Sequence, residues 1–171
     1  VLRPIAAAYG FVTPALAKEA LQRVFLNLKG PVIVANDLLQ FEIDDAAITT
    51  GRFFINTTVG LLGLFDVADF FGLEYHPADF GQTLHAYGVG AGPYLVVPLL
   101  GPSTARDTVG WSVDFLFDPL TYVLDTGAKI AVTASGVVVE RERLLVPLEE
   151  LRGTAVDYYA ALRSAYYQDR A

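Results

Sequence analysis

The pattern of apolar and polar positions divides the chain into short apolar segments separated by glycine and proline. In the central segment, no Asp, Glu, Lys or Arg occurs between Phe80 and Ala105. A run of that length is typical of a membrane-spanning helix. A single helix is excluded by the breakers within the run, which are Gly88, Gly90, Gly92, Pro93, Pro98, Gly101 and Pro102. We therefore predict an apolar arm over residues 94–100 between two turns, followed by a helix capped by Ser103 or Thr104.

The apolar arm, Tyr94-Leu-Val-Val-Pro-Leu-Leu, has to be buried, to face lipid or to contact a partner. A buried strand or core loop is the simplest interpretation of its composition. The Gly88-Val-Gly-Ala-Gly run before it does not match a nucleotide-binding loop, because no Lys-Ser/Thr pair follows and no third glycine opens a helix. Prolines stiffen the arm and glycines at its ends allow hinges, so it is also suited to move as one body.

Helical spacing and capping signals predict helices on both sides of the arm. Residues 31–39 and 44–56 form two of them, and Asp66 is predicted to cap a short helix over 67–71. A longer helix is predicted over 125–146, nearly uncharged in its first half and charged in its second. That change is typical of a helix that begins in lipid or core and ends in water. The tyrosines of the last predicted helix, 156–168, fit a membrane interface, a wet groove or an aromatic-rich core.

Three polar residues lie inside otherwise apolar helical segments: Asn36, Asp37 and Asn56. An unpaired polar group in such a place costs about 1–3 kcal/mol. We therefore predict that these side chains hydrogen-bond from helix to helix or face a polar lumen.

The composition is unusually apolar for a single domain of 171 residues. Hydrophobic residues make up 53% of the chain and charged residues 18%, so part of the surface is expected to be apolar. The net charge is −7, and no basic patch is evident in the sequence. This argues against nucleic-acid binding and against electrostatic docking on anionic lipid. Any membrane contact is expected to be hydrophobic.

Candidate chemistry is sparse. The chain has no cysteine, which excludes disulfides and thiolate catalysis. His76, His85 and Asp79 do not have the spacing of a known metal motif, and no Gly-x-Ser-x-Gly elbow of a lipase occurs. Arg52 and Arg106 are expected to form buried ion pairs that fix helices. We predict no catalytic residues, no metal site and no cofactor.

Several blocks of sequence resemble one known family and occur in that family's order. They are Asn36-Asp-Leu-Leu-Gln, Gly51-Arg-Phe-Phe-Ile-Asn-Thr-Thr-Val-Gly, Gly63-Leu-Phe-Asp-Val-Ala, Asp79-Phe-Gly-Gln-Thr-Leu, Gly88-Val-Gly-Ala-Gly-Pro-Tyr, Leu99-Leu-Gly-Pro-Ser-Thr-Ala-Arg-Asp and Asp157-Tyr-Tyr-Ala-Ala-Leu-Arg-Ser-Ala-Tyr-Tyr-Gln. Together they cover nearly the whole chain and resemble the MlaA/VacJ family of outer-membrane lipoproteins.

The resemblance implies an all-α fold, with residues 1–171 as a single domain that forms a disc around an amphipathic pore. It places the protein in the inner leaflet of the outer membrane, on the periplasmic side, lipid-anchored in the full-length protein. The family's lipid attachment Cys, signal peptide and first segment are not in this chain, so it is expected to start inside the family's domain. The implied function is a non-enzymatic passage for outer-leaflet phospholipid, with a trimeric porin and a soluble periplasmic lipid carrier as partners.

The resemblance also implies that the arm forms a hairpin next to the pore. We therefore predict that it gates lipid passage, through Gly92, Pro93, Tyr94, Leu95, Val96, Val97, Pro98, Leu99, Leu100 and Gly101. One departure from the family pattern is Leu62, which replaces a usual glycine before Gly63 and is expected to make the backbone less bent there. Two alternatives stay open: a structural porin-associated protein without a lipid path, and a lipid hydrolase.

Overall fold

A computed structural model of the protein describes residues 3–98 and 101–170. Helices make up most of the described chain, which confirms the all-α prediction. They are α1 (Arg3–Val12), α2 (Ala15–Leu28), α3 (Gly30–Leu39), α4 (Ile43–Thr58), a 3-10 helix (Ala68–Phe71), α5 (Phe80–Ala86), α6 (Ala105–Phe117), α7 (Leu120–Val123), α8 (Thr126–Arg143), α9 (Leu145–Thr154) and α10 (Tyr158–Asp169).

A two-stranded antiparallel sheet departs from the expectation of a fold without regular strands. Strand β1 (Tyr94–Val97) pairs with β2 (Gly101–Thr104), so that Tyr94 lies opposite Thr104 and Val97 opposite Gly101. Aromatic and β-branched residues favour the extended conformation of β1, and the glycine at the start of β2 allows the chain to return alongside it. We call the two strands the hairpin; Leu99 and Leu100 of the predicted arm lie outside the described residues.

The helices pack mainly in neighbouring pairs. Helix α3 packs against α4, α5 packs against α6, and α8 lies against α1 and α2. Between α5 and α6 the backbones approach closely because glycines face each other. A Cβ built on Gly110 would lie 2.5 Å from the backbone nitrogen of Gly81, so only glycine fits there.

The interior of the described chain is polar. The buried hydrophobic residues are four, and three of them are alanines: Ala6, Ile33, Ala46 and Ala68. The buried polar and charged residues are ten: Asn36, Asp37, Thr49, Arg52, Asn56, Thr83, Ser103, Thr104, Arg106 and Asp107. Polar groups away from water have to find hydrogen-bond partners, and this requirement shapes the candidate site.

Three local predictions differ from the structure. The 3-10 helix begins after Val67, one residue later than predicted, and Val67 provides no side-chain cap. Burial alone would raise the pKa of Asp66, but a backbone hydrogen bond from Asp69 helps to hold it below its ordinary value. The helix predicted over 125–146 ends at Arg143, because Pro147 has no N–H and its ring clashes with the carbonyl four residues earlier. Leu62 does not straighten the backbone: Leu61 and Leu62 both adopt left-handed conformations, with φ of 53° and 61°.

Candidate functional site

The hairpin presents apolar side chains to the outside. Leu95 is 39% exposed and Val96 is 57% exposed, while Tyr94 and Val97 at the ends of β1 are half-buried. The simplest interpretation of the sequence, a buried strand or core loop, is therefore wrong. An exposed apolar strand in a lipid-rich setting would rest against acyl chains or a partner.

The hairpin leads directly into helix α6. Thr104, the last residue of β2, is also the N-cap of α6, and its side chain accepts a hydrogen bond from the Asp107 backbone N–H. This confirms the predicted cap. Two backbone bonds hold the segment before β1 to the same turn: Ala105 N–H donates to Pro93 O (3.1 Å) and Arg106 N–H to Ala91 O (3.2 Å). The base of the hairpin is thus fixed to α6, and its far end is not covered by these bonds.

Glycines in left-handed conformations lie on both sides of β1. Gly88, Gly92 and Gly101 have φ of 82°, 69° and 98°, values that other residues adopt only with strain. They are the positions at which the backbone needs glycine. Gly90, also predicted to supply hinge freedom, does not have a positive φ.

Helix α10 holds the base of the hairpin through aromatic packing. The ring of Tyr94 on β1 lies 5.5 Å from that of Tyr159, 6.0 Å from Tyr166 and 6.2 Å from Tyr167, measured between centroids. Burial and the neighbouring tyrosines raise the pKa of Tyr94. The tyrosines of the last predicted helix therefore pack on the hairpin, an arrangement that the sequence patterns did not specify.

A buried ionic cluster lies beneath these rings. Asp107 is fully buried and accepts hydrogen bonds from Arg106 Nε (2.9 Å) and from the hydroxyl of Tyr166 (2.5 Å). Arg170, after the end of α10, lies 3.6 Å from Asp107 and 2.5 Å from Asp79, the N-cap of α5. Burial alone would raise the pKa of Asp107, but the hydrogen bonds from Tyr166, Arg106 and Thr104 hold it below its ordinary value.

The predicted buried ion pairs of the two arginines are confirmed. Arg106 pairs with Asp107, as above, and Arg52 pairs with Asp66 at 2.6 Å. Asn56 donates to the other oxygen of Asp66 at 2.9 Å, and its own carbonyl oxygen accepts from the Ala68 backbone N–H. These bonds tie α4 to the 3-10 helix.

Asn36 and Asp37 are fully buried on helix α3. Asn36 donates to Asp114 on α6 at 2.8 Å and accepts from the hydroxyl of Thr83 on α5 at 2.8 Å. Asp37 lies 3.1 Å from Nε2 of His76 and accepts from the Thr49 hydroxyl on α4. Burial raises the pKa of Asp37 above its ordinary value, although the bonds from His76 and Thr49 oppose the increase.

The two histidines, considered with Asp79 as a metal site, are not brought together as one. His76 contacts Asp37, His85 is exposed at the end of α5, and Asp79 contacts Arg170. Within the part of the chain that the structure describes, no group of three or more potential ligands could hold a metal ion. The important partners that the sequence did not reveal are Asp114, Thr83 and Thr49, since each lies on another helix, far from its partner in the sequence or facing it only after folding.

Large apolar side chains cover much of the outer surface. Examples far from the hairpin are Phe11 on α1, Phe54 on α4, Phe70 in the 3-10 helix and Val123 on α7, all strongly exposed. Among the helices of residues 3–98 and 101–170, none is long and apolar enough to cross a membrane. The apolar surface is therefore spread over many short helices.

Comparisons with known proteins agree with one another. The family model described as "MlaA lipoprotein" matches residues 1–171. The chain is 32% identical to the intermembrane phospholipid transport system lipoprotein MlaA of Escherichia coli, covering 98% of this chain and 67% of that protein. It is 35% identical to the protein of the same name from Haemophilus influenzae, covering 99% and 68%.

A solved structure described by the words "Structural basis for maintenance of bacterial outer membrane lipid asymmetry" has a similar fold. The TM-score is 0.85 at 33% identity, and the match covers 99% of this chain and 86% of that chain. The family model, the sequence relatives and the fold all agree, and the chain belongs to the MlaA lipoprotein family.

Proposed function

We propose that the protein provides a passage that removes mislocalised phospholipid from the outer leaflet of the outer membrane and so maintains lipid asymmetry. Two observations support this role. The relatives from Escherichia coli and Haemophilus influenzae are lipoproteins of an intermembrane phospholipid transport system, and the protein of similar fold is linked to the maintenance of outer-membrane lipid asymmetry. It is transport without a chemical step, because the sequence offers no nucleophile motif and the buried carboxylates of the described chain are occupied by structural partners.

The observation that carries this proposal is the hairpin. It exposes Leu95 and Val96 between residues that need glycine, on a protein whose outer surface is apolar and whose interior is polar. Acyl chains favour contact with an exposed apolar strand, and a strand between permissive backbone positions is able to change orientation. We infer that the predicted arm and its flanking glycines, residues 92–101, which include β1, gate the lipid path.

The proposed setting is the one that the family resemblance implies. The protein lies in the inner leaflet of the outer membrane, on the periplasmic side, as a disc around an amphipathic pore. A trimeric porin is the proposed neighbour in the membrane, and a soluble periplasmic protein is the proposed acceptor of lipid. The distribution of exposed apolar side chains over many short helices supports a protein that lies within a leaflet rather than one that spans the bilayer.

Two roles are possible for the polar residues Asn36, Asp37 and Asn56: lining a polar lumen, or hydrogen bonding from helix to helix. We propose the bonding role, because each is buried and each has a partner on another element. In this role they keep α3, α4, α5 and α6 in the arrangement that carries the hairpin.

A cross-link provides the test of the gate. Because the chain has no cysteine, Val97→Cys at the far end of β1 and one further cysteine at its nearest packed neighbour outside the hairpin would be its only thiols, and a short bis-maleimide with a reducible spacer would join that end of β1 to the body of the protein. In a deletion strain complemented with the full-length gene, we expect the cross-linked protein to leave phospholipid at the cell surface and reduction to restore its removal. The matched control is the same double variant without the cross-linker.

The outcomes separate the alternatives. Full activity of the cross-linked protein would exclude the gate but not the passage. Surface phospholipid that does not change on deletion of the gene would overturn the passage itself and favour a structural porin-associated protein. Release of fatty acid or head group from phospholipid by the purified protein would favour a hydrolase.

A further inference from the structure

A cavity lies away from the hairpin, where α1, α8 and α9 meet the start of α10. Its volume is about 300 Å³, and its lining residues are Arg3, Arg141, Leu145, Leu148, Glu149, Arg152, Gly153 and Tyr158. None of these belongs to the hairpin. Arg3 is distant in the sequence from Arg141 and Arg152, and glutamates lie between the latter two, so no basic patch was evident before folding.

The charge of this cavity is opposite to that of the whole protein. The chain carries a net charge of −7. The cavity lining has three arginines and one carboxylate, Glu149, and therefore carries a net positive charge. Glu149 is occupied by Arg3, at 2.5 Å. Among the side chains that the structure describes, neither Arg141 nor Arg152 lies within ion-pair distance of a carboxylate. Two guanidinium groups are therefore available to an anion.

The remaining lining fits a group at the border between water and lipid. Arg152 lies over the ring of Tyr158, 6.0 Å from its centroid, which orients the guanidinium. Exposed apolar side chains adjoin the cavity on the same helices: Ile5 follows Arg3 on α1, and Leu144 and Val146 flank the lining residue Leu145. Guanidinium forks match phosphate oxygens in geometry as well as in charge.

We propose that this basic cavity binds the phosphate of an anionic phospholipid headgroup in the surrounding leaflet, at a site separate from the lipid passage. The inference takes from the proposed function only that the protein lies against lipid. The apolar surface supplies general membrane contact, and the cavity adds a preference for anionic headgroups and sets how deep the end of α8 lies. Arg141 and Arg152 bind the phosphate; Arg3 is held by Glu149 at the edge of the cavity.

The test is partition of the full chain, purified in detergent, into vesicles of phosphatidylethanolamine with or without phosphatidylglycerol. We expect phosphatidylglycerol to increase the partition coefficient of the unsubstituted protein. One basic residue near an anionic surface contributes about 1 kcal/mol, or about fivefold in the partition coefficient, so Arg141→Gln/Arg152→Gln should reduce the increase by about 30-fold. The matched control, Arg143→Gln/Arg163→Gln, removes the same charge from exposed residues that do not line the cavity. The increase in partition that phosphatidylglycerol causes should fall less than fivefold in this control variant.

Each outcome decides the proposal. A double variant that keeps the full gain, or a control that loses as much, would overturn the site and leave only overall charge. If the double variant loses its helical circular dichroism, Arg141→Gln alone is measured, and a loss below twofold would overturn the site. Calorimetric binding of 1 mM inorganic phosphate to the protein without lipid would reassign the cavity to a free anion.

The same variants distinguish this inference from the passage. In vesicles of pure phosphatidylethanolamine we expect Arg141→Gln/Arg152→Gln to partition like the unsubstituted protein. In cells with equal amounts of protein in the membrane, we expect this variant to remove surface phospholipid as the unsubstituted protein does. A defect in lipid removal at equal loading would place the two arginines in the passage and overturn a separate site.

Discussion

Tyr166 donates a hydrogen bond of 2.5 Å to a carboxylate oxygen of Asp107, which is fully buried 59 positions earlier in the chain. The bond joins α10 to the first turn of α6, directly after the hairpin. The ring of the same tyrosine packs against Tyr94 on β1. One side chain therefore contacts both the hairpin and the helix into which it leads, so α10 fixes the base of the hairpin.

Removing the hydroxyl of Tyr166 should weaken this junction. We expect Tyr166→Phe to lower the free energy of unfolding by about 1.5–3 kcal/mol, the usual contribution of a hydrogen bond to a charged group. Denaturant titration in detergent measures the change. Tyr159→Phe is the control, because Tyr159 also packs on Tyr94 but is half exposed. Equal losses in both variants would show that the bond from Tyr166 to Asp107 contributes no more than an ordinary tyrosine hydroxyl.

The lowered pKa of Asp107 predicts acid sensitivity. Its hydrogen bonds stabilise the charged form in the folded state, so its contribution is complete above the unfolded value of 3.8 and is lost as pH falls through the lower folded pKa. We expect the free energy of unfolding to decrease with falling pH in that window, and to decrease less in Asp107→Asn. A variant with the same slope as the unsubstituted protein would assign the acid sensitivity to other carboxylates.

Asn36 connects three helices, and its loss should weaken the hydrogen bonding of two polar side chains. Asn36→Leu removes the bonds to Thr83 and Asp114, which keep, among the described residues, only the Asp79 carbonyl (3.3 Å) and the Phe80 backbone N–H (3.1 Å) as partners. An ordinary hydrogen bond contributes about 0.5–1.5 kcal/mol and one to a charged group about 1.5–3 kcal/mol. We expect a decrease of at least about 2 kcal/mol in the free energy of unfolding. Gln22→Leu, a half-buried position on α2, should change it by less than about 0.5 kcal/mol. Unchanged stability of Asn36→Leu would remove the bonding role.

The glycine at the start of β2 should matter for its backbone conformation alone. Gly101 has φ of 98°, and a Cβ built there meets nothing within 4 Å. Gly101→Ala should therefore cost about 1–2 kcal/mol from strain without any clash. Gly90→Ala is the control, since Gly90 also has open space but no positive φ. If the hinge serves the gate, surface phospholipid should rise in Gly101→Ala and not in Gly90→Ala; equal behaviour of the two strains would exclude the hinge.

Local signals accounted for much of the fold. The helices, the Thr104 cap and the breaks on both sides of the arm follow from neighbouring residues, whose chemistry is visible in the sequence. The partners of the buried polar residues were not predictable in this way, because Asn36 and Asp114 lie 78 positions apart and meet only when the chain has folded. The strand pairing and the basic cavity depend likewise on tertiary geometry. The break of the long helix depends on one steric contact, that of Pro147.

The polar interior has a thermodynamic consequence. Heat capacity rises on unfolding chiefly because apolar surface becomes hydrated, by about 12–15 cal/mol/K per residue in ordinary water-soluble domains. Here the large apolar side chains already lie on the outside, and the buried residues are mostly polar or alanine. Unfolding therefore exposes little new hydrocarbon, and we expect a heat-capacity increment below that range. The free energy of unfolding would therefore curve less with temperature than that of an ordinary domain of this size.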